Sequence, residues 1–278
     1  MAIETSTQYE PSTEAAWEPQ MPPEDLIFDD GEPLESNRHR IAMNVLIRSL
    51  QQAWEDRDDY FTGGNMFIYY SRQQARNRDF RGPDFFAVLD IDGTYPREGW
   101  VVWDENGRYP DVIIELMSPS TRQVDTGAKK DLYERVFRTR NYFVYDPFDE
   151  SSLQGWQLDG NFQYQPLVAN EQGWLWCDVL GFWVGVGQGE ILRVTAPWLR
   201  FYHPDGNVVL MPEEAAAQQA EAATQQAEAA TQQAEAATQQ AEAAAQRAEA
   251  AEQRAETAEQ RANRLAAQLR ALGVEVEE

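Results

Sequence analysis

Two acidic residues stand where acids are costly. Glu115 interrupts the apolar run Val112-Ile113-Ile114-Glu115-Leu116-Met117, and Asp84 opens a second run, Asp84-Phe85-Phe86-Ala87-Val88-Leu89. Strands this apolar are usually covered on both faces. A carboxylate among them is tolerated mainly beside a cation, a metal or good hydrogen-bond donors. Two such acids on adjacent strands would make a hard, oxygen-rich pocket suited to Mg²⁺ or Mn²⁺. The basic residues carry a matching signal. Of 23, only Lys129 and Lys130 are not Arg. Lysines placed just after the acidic strand suggest a need for a compact ammonium that an Arg fork cannot replace.

Each of these residues also has a plainer reading. Asp84 would be a strand-entry acid, and Glu115 a buried ion pair with Lys129 and no metal. Asp125 is expected to cap a helix through the Gly127 or Ala128 amides. Tyr133, one turn beyond Lys129, is expected to pack in the core, and Lys130, about 100° around the helix, to face solvent. His39 is open between a satisfied core histidine and a site residue. His203 reads as part of a turn. Gly185-Val186-Gly187-Gln188-Gly189 is no dinucleotide loop, because no crossover helix pattern follows it. Cys177 has no nearby His in sequence to make it a nucleophile.

The elements that must position these residues are legible as patterns. Residues 1–35 hold five prolines and no apolar period, and are expected to form an acidic, disordered arm. Met43, Ile47, Leu50 and Trp54 predict a helix over 37–56, with Ser36 as its N-cap. Strand-like runs follow at 66–70, 84–91, 111–117 and 141–145, with a second helix near 126–137. Aromatic-rich segments with Gly turns over 153–210 predict antiparallel strands. An α+β domain spanning 36–212 accounts for all of this.

The last sixty residues differ in kind. AEAATQQ occurs three times from Ala220, and sixteen successive a and d positions are apolar, Ala throughout until Leu265, Leu269 and Leu272. Such a heptad predicts a long coiled-coil helix over 213–273, stopping at Gly273 before an acidic tail at 274–278. Arg247 and Arg254 fall at g, and Glu252 and Glu259 at e. Those positions form ion pairs between chains in a parallel homo-oligomer, whereas an antiparallel pair would oppose like charges.

The net charge of −24 argues against a generic nucleic-acid binder. It is concentrated at the ends, however: residues 1–36 hold ten acids and no base, residues 213–278 carry a net −8, and 37–212 only −6. One cysteine, no apolar run long enough to cross a membrane and no basic-then-apolar leader predict a soluble protein of a reducing, cytoplasmic setting.

The stretch PDVIIELMSPSTRQVDTGAKKDLYERVFRTRNYFVYDP, residues 110–147, resembles the signature of a large bacterial family described as putative restriction endonucleases, within the PD-(D/E)xK nuclease superfamily. The matching positions are Glu115, Ser118 to Thr121, Asp125, Lys129, Tyr133 and Asp146-Pro147. Upstream, Arg81-Gly82-Pro83-Asp84 is similar to the family's Arg-Pro-Asp strand entry with one Gly inserted, and His39 occupies a familiar place on the first helix. The likeness extends over about 24–212, and the Ala/Gln/Arg-rich tail resembles one subgroup.

This resemblance implies a restriction-endonuclease-like mixed sheet flanked by helices. Mg²⁺ or Mn²⁺ would be bound by Asp84, Glu115 and the backbone carbonyl of Leu116. The superfamily's usual lysine would fall at Met117, so Lys129 would send its ammonium back from the next helix to orient or help deprotonate the attacking water. Glu35 is a candidate for a further acid, and His39 for a contact to phosphate or a carboxylate. The expected activity is metal-dependent hydrolysis of DNA phosphodiesters. Its substrate path would be lined by Arg72, Arg76, Arg78 and Arg81 and by Arg122, Arg135, Arg138 and Arg140. The alternative is an inactive nuclease fold kept as an interaction module and oligomerised through its tail.

Overall fold

The structure, a computed structural model, describes residues 26–28, 36–77 and 81–271. Glu35, the expected acidic arm 1–35 apart from 26–28, the Gly273 stop and the 274–278 tail lie outside the described residues. The chain forms two units, residues 1–212 and 213–278.

The first unit opens with α1 (Asn37–Ala53), capped at Ser36, whose side chain accepts the His39 N–H. Its buried stripe runs through His39, Ala42, Leu46, Ser49 and Leu50, joined by Ile41 and Val45. The expected face, Met43 and Ile47 with Trp54, forms the partly buried flank. The stripe is therefore wider than the spacing suggested and includes a histidine.

Eleven strands follow among the described residues. Six make a mixed sheet in the order β1 (Tyr60–Gly63), β3 (Phe85–Leu89), β5 (Val112–Leu116), β6 (Asn141–Asp146), β7 (Asp149–Leu158), β8 (Tyr164–Pro166). Only β5 and β6 pair in parallel. A parallel pair needs a crossover, and the helical segment 122–137 supplies it. A three-stranded antiparallel sheet contains β9 (Leu175–Cys177), β10 (Phe182–Ile191) and β11 (Val194–Tyr202). Short β2 (Ile68–Tyr69) and β4 (Trp100–Val101) pair in parallel, and α2 (Arg72–Arg76) lies between β2 and β3 in sequence. The sequence patterns missed β1, β4 and α2, which are too short to show a period.

Alternation along the central strands divides the core. Phe85, Ala87, Val112, Ile114, Leu116, Phe143 and Tyr145 pack with α1 and with β9–β11. Phe86, Val88, Ile113, Met117, Tyr142 and Val144 pack with Tyr133 and Phe137 of the crossover helix. Glu115 alternates with Ile113 and Met117, so its side chain belongs to the second face. The sheet is thus covered on both sides, as its apolar strands require.

The crossover helix is not a plain α-helix. Short α-turns at Arg122–Val124 and Lys130–Leu132 alternate with π-turns at Asp125–Lys129 and Tyr133–Phe137. It starts earlier than expected because the turn before it satisfies its own polar groups. Ser118 N–H donates to Thr121 Oγ1 at 3.0 Å, Thr121 N–H to Ser118 Oγ at 3.2 Å, and Arg122 N–H to the Ser118 carbonyl at 3.0 Å. Arg138 ends it in the left-handed conformation at φ 54°.

Among the described residues, the second unit is one helix, Pro212–Ala271, which starts at the last residue of the first unit and none of whose residues is buried. No helix among the described residues is long and apolar enough to cross a membrane.

One glycine bears directly on the pocket. A Cβ on Gly64 would lie 2.2 Å from the main-chain oxygen of Asp84 and 2.8 Å from Met43 Cγ. Gly64→Ala should therefore cost about 1–3 kcal/mol of stability, as overpacking does. Denaturant unfolding measures it, with Gly160→Ala, whose Cβ meets nothing within 4 Å, as the control.

Candidate metal-binding and catalytic site

β3 and β5 pair antiparallel with Phe85 opposite Ile114 and Phe86 opposite Ile113. One step further in that register, Asp84 stands opposite Glu115. Facing positions on paired strands bring side chains about 4.5–5.5 Å apart at Cβ, and like charges there repel. This register is the geometric origin of the pocket.

The Asp84 carboxylate has one clear main-chain role. Its Oδ2 accepts the Leu116 N–H at 2.7 Å. Asp111 does the same at the other end of the strand pair, where its Oδ2 accepts the Leu89 N–H at 2.9 Å. The plain reading of Asp84 as a strand-entry acid thus holds for one oxygen. Among the described residues, its Oδ1 accepts no hydrogen bond. Desolvation, followed by the Glu115 charge, pushes the Asp84 carboxyl well above the ordinary carboxylate range.

Glu115 is 1% exposed, and both of its oxygens are held. Oε1 accepts the Tyr133 hydroxyl at 2.7 Å, and Oε2 pairs with Lys129 Nζ at 3.0 Å. Burial still raises its pKa, opposed by the Lys129 charge. Lys129 also reaches Asp125 Oδ1 at 2.8 Å, one helical step back. Burial works against its charge, but the Glu115 and Asp125 carboxylates outweigh burial and hold the ammonium protonated. Of the two expected roles, a lysine held as a cation suits orienting the water rather than taking its proton. Tyr133 is likewise held far above the ordinary phenol range, by burial and then by the Glu115 charge.

Asp125 departs most from expectation. The helix begins before it, so its carboxylate caps no amide; it is 1% exposed and faces Lys129. The signal was present in the sequence: Asp125, Lys129 and Tyr133 recur every four residues. In an unbroken α-helix three residues so spaced would fan over about 80°. Turns closed by i→i+5 bonds take more residues each and counter that drift, and they recur at functional sites. Tyr133 packs in the core as expected, and in addition donates to Glu115.

Met117, where the superfamily pattern has its lysine, is fully buried on the same face as Glu115. His39 is buried on α1, where its Nε2 bonds the Met117 carbonyl at 3.3 Å and its Nδ1 lies 2.8 Å from Ser36 Oγ. It thus ties α1 to the end of β5.

Of the expected arginines, Arg81 acts on Tyr133 through its charge, whereas Arg138 and Arg140 lie away from Glu115. Arg140 precedes β6, whose Asn141 lies opposite Val112, while Val144 lies opposite Glu115. At about 3.3 Å per residue this places Arg140 roughly 10 Å or more along the sheet from Glu115. There it pairs with Asp178 at 3.0 Å, and Arg138 stacks over Phe162 at 4.4 Å. Arg135 is exposed and lies 3.8 Å from Glu134. Arg122 is at the pocket's end of the sheet but is tied to Asp146 at 2.7 Å. Arg78 lies outside the described residues. Cys177 is buried, burial pushing its thiol up to about 12, which suits a packing role. Lys130 sits over the Trp156 ring at 4.7 Å.

Whether this pocket fits a divalent cation is a question of donors and charge. Asp84, Glu115 and Asp125 bring three carboxylates to one ammonium, and Asp84 Oδ1 is open. Among the described residues, no three His, Cys, Asp or Glu side chains form a complete ligand set. Mg²⁺ does not need one: it is usually held by one or two carboxylates and keeps waters or substrate oxygens in its other positions. The donor set fits on those terms.

The raised Asp84 pKa has a measurable consequence. The folded state binds a proton more tightly than the unfolded chain between the ordinary carboxylate value and the raised one. This contribution to stability is therefore present in acid and lost as pH rises through that window. In chelator, Asp84→Asn should melt at a higher temperature than the native chain at pH 8, with a smaller gain at pH 5. A gain independent of pH, or a loss at pH 8, would contradict the assignment.

No curated protein matches the chain. A crystal structure of a putative nuclease belonging to DUF820 from Anabaena variabilis ATCC 29413 aligns at 13% identity and a TM-score of 0.37, covering 54% of this chain and 76% of that one. The model of the Uma2 family, described as "Putative restriction endonuclease", matches residues 15–187, which include β3, β5 and the crossover helix with all four pocket residues. The chain belongs to the Uma2 family.

Proposed function

We propose that the protein is a divalent-metal-dependent endonuclease that hydrolyses DNA phosphodiesters at the Asp84–Glu115 pocket. The observation that carries the reading is the placement of two carboxylates of raised pKa on facing strands, with one ammonium from the crossover helix beside them. DNA as substrate rests on the family description alone. Asp84, Glu115 and the Leu116 carbonyl would hold Mg²⁺ or Mn²⁺. Such an ion, when bound, lowers the pKa of a water and offsets phosphate charge. Hydrolysis joins the water oxygen to phosphorus, breaks one P–O ester bond and leaves the water's protons shared between phosphate and leaving hydroxyl.

The chain's own residues prepare that step. Tyr133 fixes the Glu115 carboxylate by its hydroxyl. Lys129 keeps a permanent positive charge where a phosphate oxygen gains negative charge. The Leu116 N–H orients Asp84. A second reading, an inactive fold retained for interaction, draws on Met117 at the superfamily's lysine position and on the Lys129 ammonium already bridging two acids.

Calorimetric titration of Mn²⁺ into the full chain separates the two. Binding should be lost in Asp84→Ala and in Glu115→Ala, and weakened about 10–100-fold in Tyr133→Phe, as loss of a ligand-orienting partner predicts. The three variants should lose DNA cleavage in the same order. A native chain that binds no Mn²⁺ would favour the interaction module.

We also propose that the tail associates with a second copy in parallel register. Its Leu265 and Leu269 are 58% and 38% exposed on an unpartnered seam, and its g and e charges complement each other in that orientation. Sedimentation of the full chain should show an oligomer that dissociates in Leu265→Glu/Leu269→Glu. A native monomer at tens of micromolar would refute it.

A further inference from the structure

The charges around Lys129 do not balance, and their arrangement is that of a filled cation site. Nζ lies 2.8 Å from Asp125 Oδ1 and 3.0 Å from Glu115 Oε2, so one ammonium bridges two carboxylates that are each 1% exposed. The opposite oxygen of Glu115 is fixed by Tyr133 at 2.7 Å, which leaves Oε2 aimed at the ammonium. Asp125 Oδ1 is fully buried, and its contact is the Lys129 ammonium. Two hard carboxylate oxygens from a strand and a helix, converging on one cation, are the ligand chemistry of a divalent ion. Burial makes it expensive to leave either of them without a cation.

We propose that Glu115 and Asp125 form a cation site of their own, and that Lys129 fills it with a tethered ammonium. The protein then takes one divalent ion, at Asp84 and Glu115, where the same chain without this lysine takes two. This rests on the metal reading above only for the first ion; the second site is defined by Glu115 and Asp125 alone. The π-turn at Asp125–Lys129 is part of the device, because it holds carboxylate and ammonium four residues apart on one line. A tethered cation cannot be exchanged or removed by a chelator. The Lys129 stem, long and unbranched, lets the ammonium settle between the two acids.

The test is a Mn²⁺ count per chain, by calorimetry on the full-length protein, for native, Lys129→Ala and Lys129→Ala/Asp125→Ala. Lys129→Ala should bind one Mn²⁺ more than native, and the double variant should lose that extra ion. An equal count in native and Lys129→Ala overturns the proposal, as does an extra ion that survives in the double variant. A native count of zero sinks the metal-dependent reading instead, and the difference between native and variant still decides this one. If circular dichroism shows that Lys129→Ala does not fold, the same comparison is made with Lys129→Gln, which keeps a donor for the two acids but not the charge. The extra ion is expected there too, and an unchanged count overturns the proposal.

Discussion

The pairing register of β3 and β5 places Asp84 opposite Glu115, and much of the surrounding architecture follows from that constraint. Two facing carboxylates inside an apolar sheet repel each other and resist burial, so the fold must bring a cation to them. It does so through the crossover that the parallel β5–β6 pair requires in any case. One helix therefore has two duties: it covers the sheet with Tyr133 and Phe137, and it delivers Lys129 to the acids. Its π-turns reconcile the two, keeping Asp125, Lys129 and Tyr133 on one line while the aromatic rings stay in the core.

The ends of the strand pair show how a structural hydrogen bond can differ from a functional one. Asp111 and Asp84 are related by the antiparallel pairing, and each accepts the N–H next in line on the partner strand. Asp111 also meets Arg108 at 3.1 Å. Asp84 meets Glu115 across the sheet instead. The same residue type in the same local geometry is thus compensated at one end and left under electrostatic tension at the other. A tension of this kind lowers stability and is relieved by a proton or a cation, which is the usual physical signature of a site.

The two units of the chain obey different rules. The first is held by apolar burial on both faces of its sheet, with α1 linked to the end of β5 through His39 and the Met117 carbonyl. None of the described residues of the second unit's helix is buried. Its alanines favour helix intrinsically, and each Thr at 224, 231, 238 and 257 donates back to the carbonyl four residues earlier. Local propensity therefore accounts for its form.

By itself the sequence determined the strands that carry Asp84 and Glu115, the capped first helix, the long heptad tail and the family. These features depend on local period and on residue types that are expensive to place. Tertiary structure alone decided which groups meet. The pairing register put Asp84 opposite Glu115, the Ser118–Thr121 turn started the crossover helix early, and so Asp125 became a ligand of Lys129 and not a cap. It also carried Arg138 and Arg140 away from Glu115, since β6 runs parallel to β5 and the crossover returns the chain to the N-terminal end of β5 before β6 starts. Spacing along the chain encodes which side of an element a residue occupies; the encounter of two elements depends on connections and packing that no single segment contains.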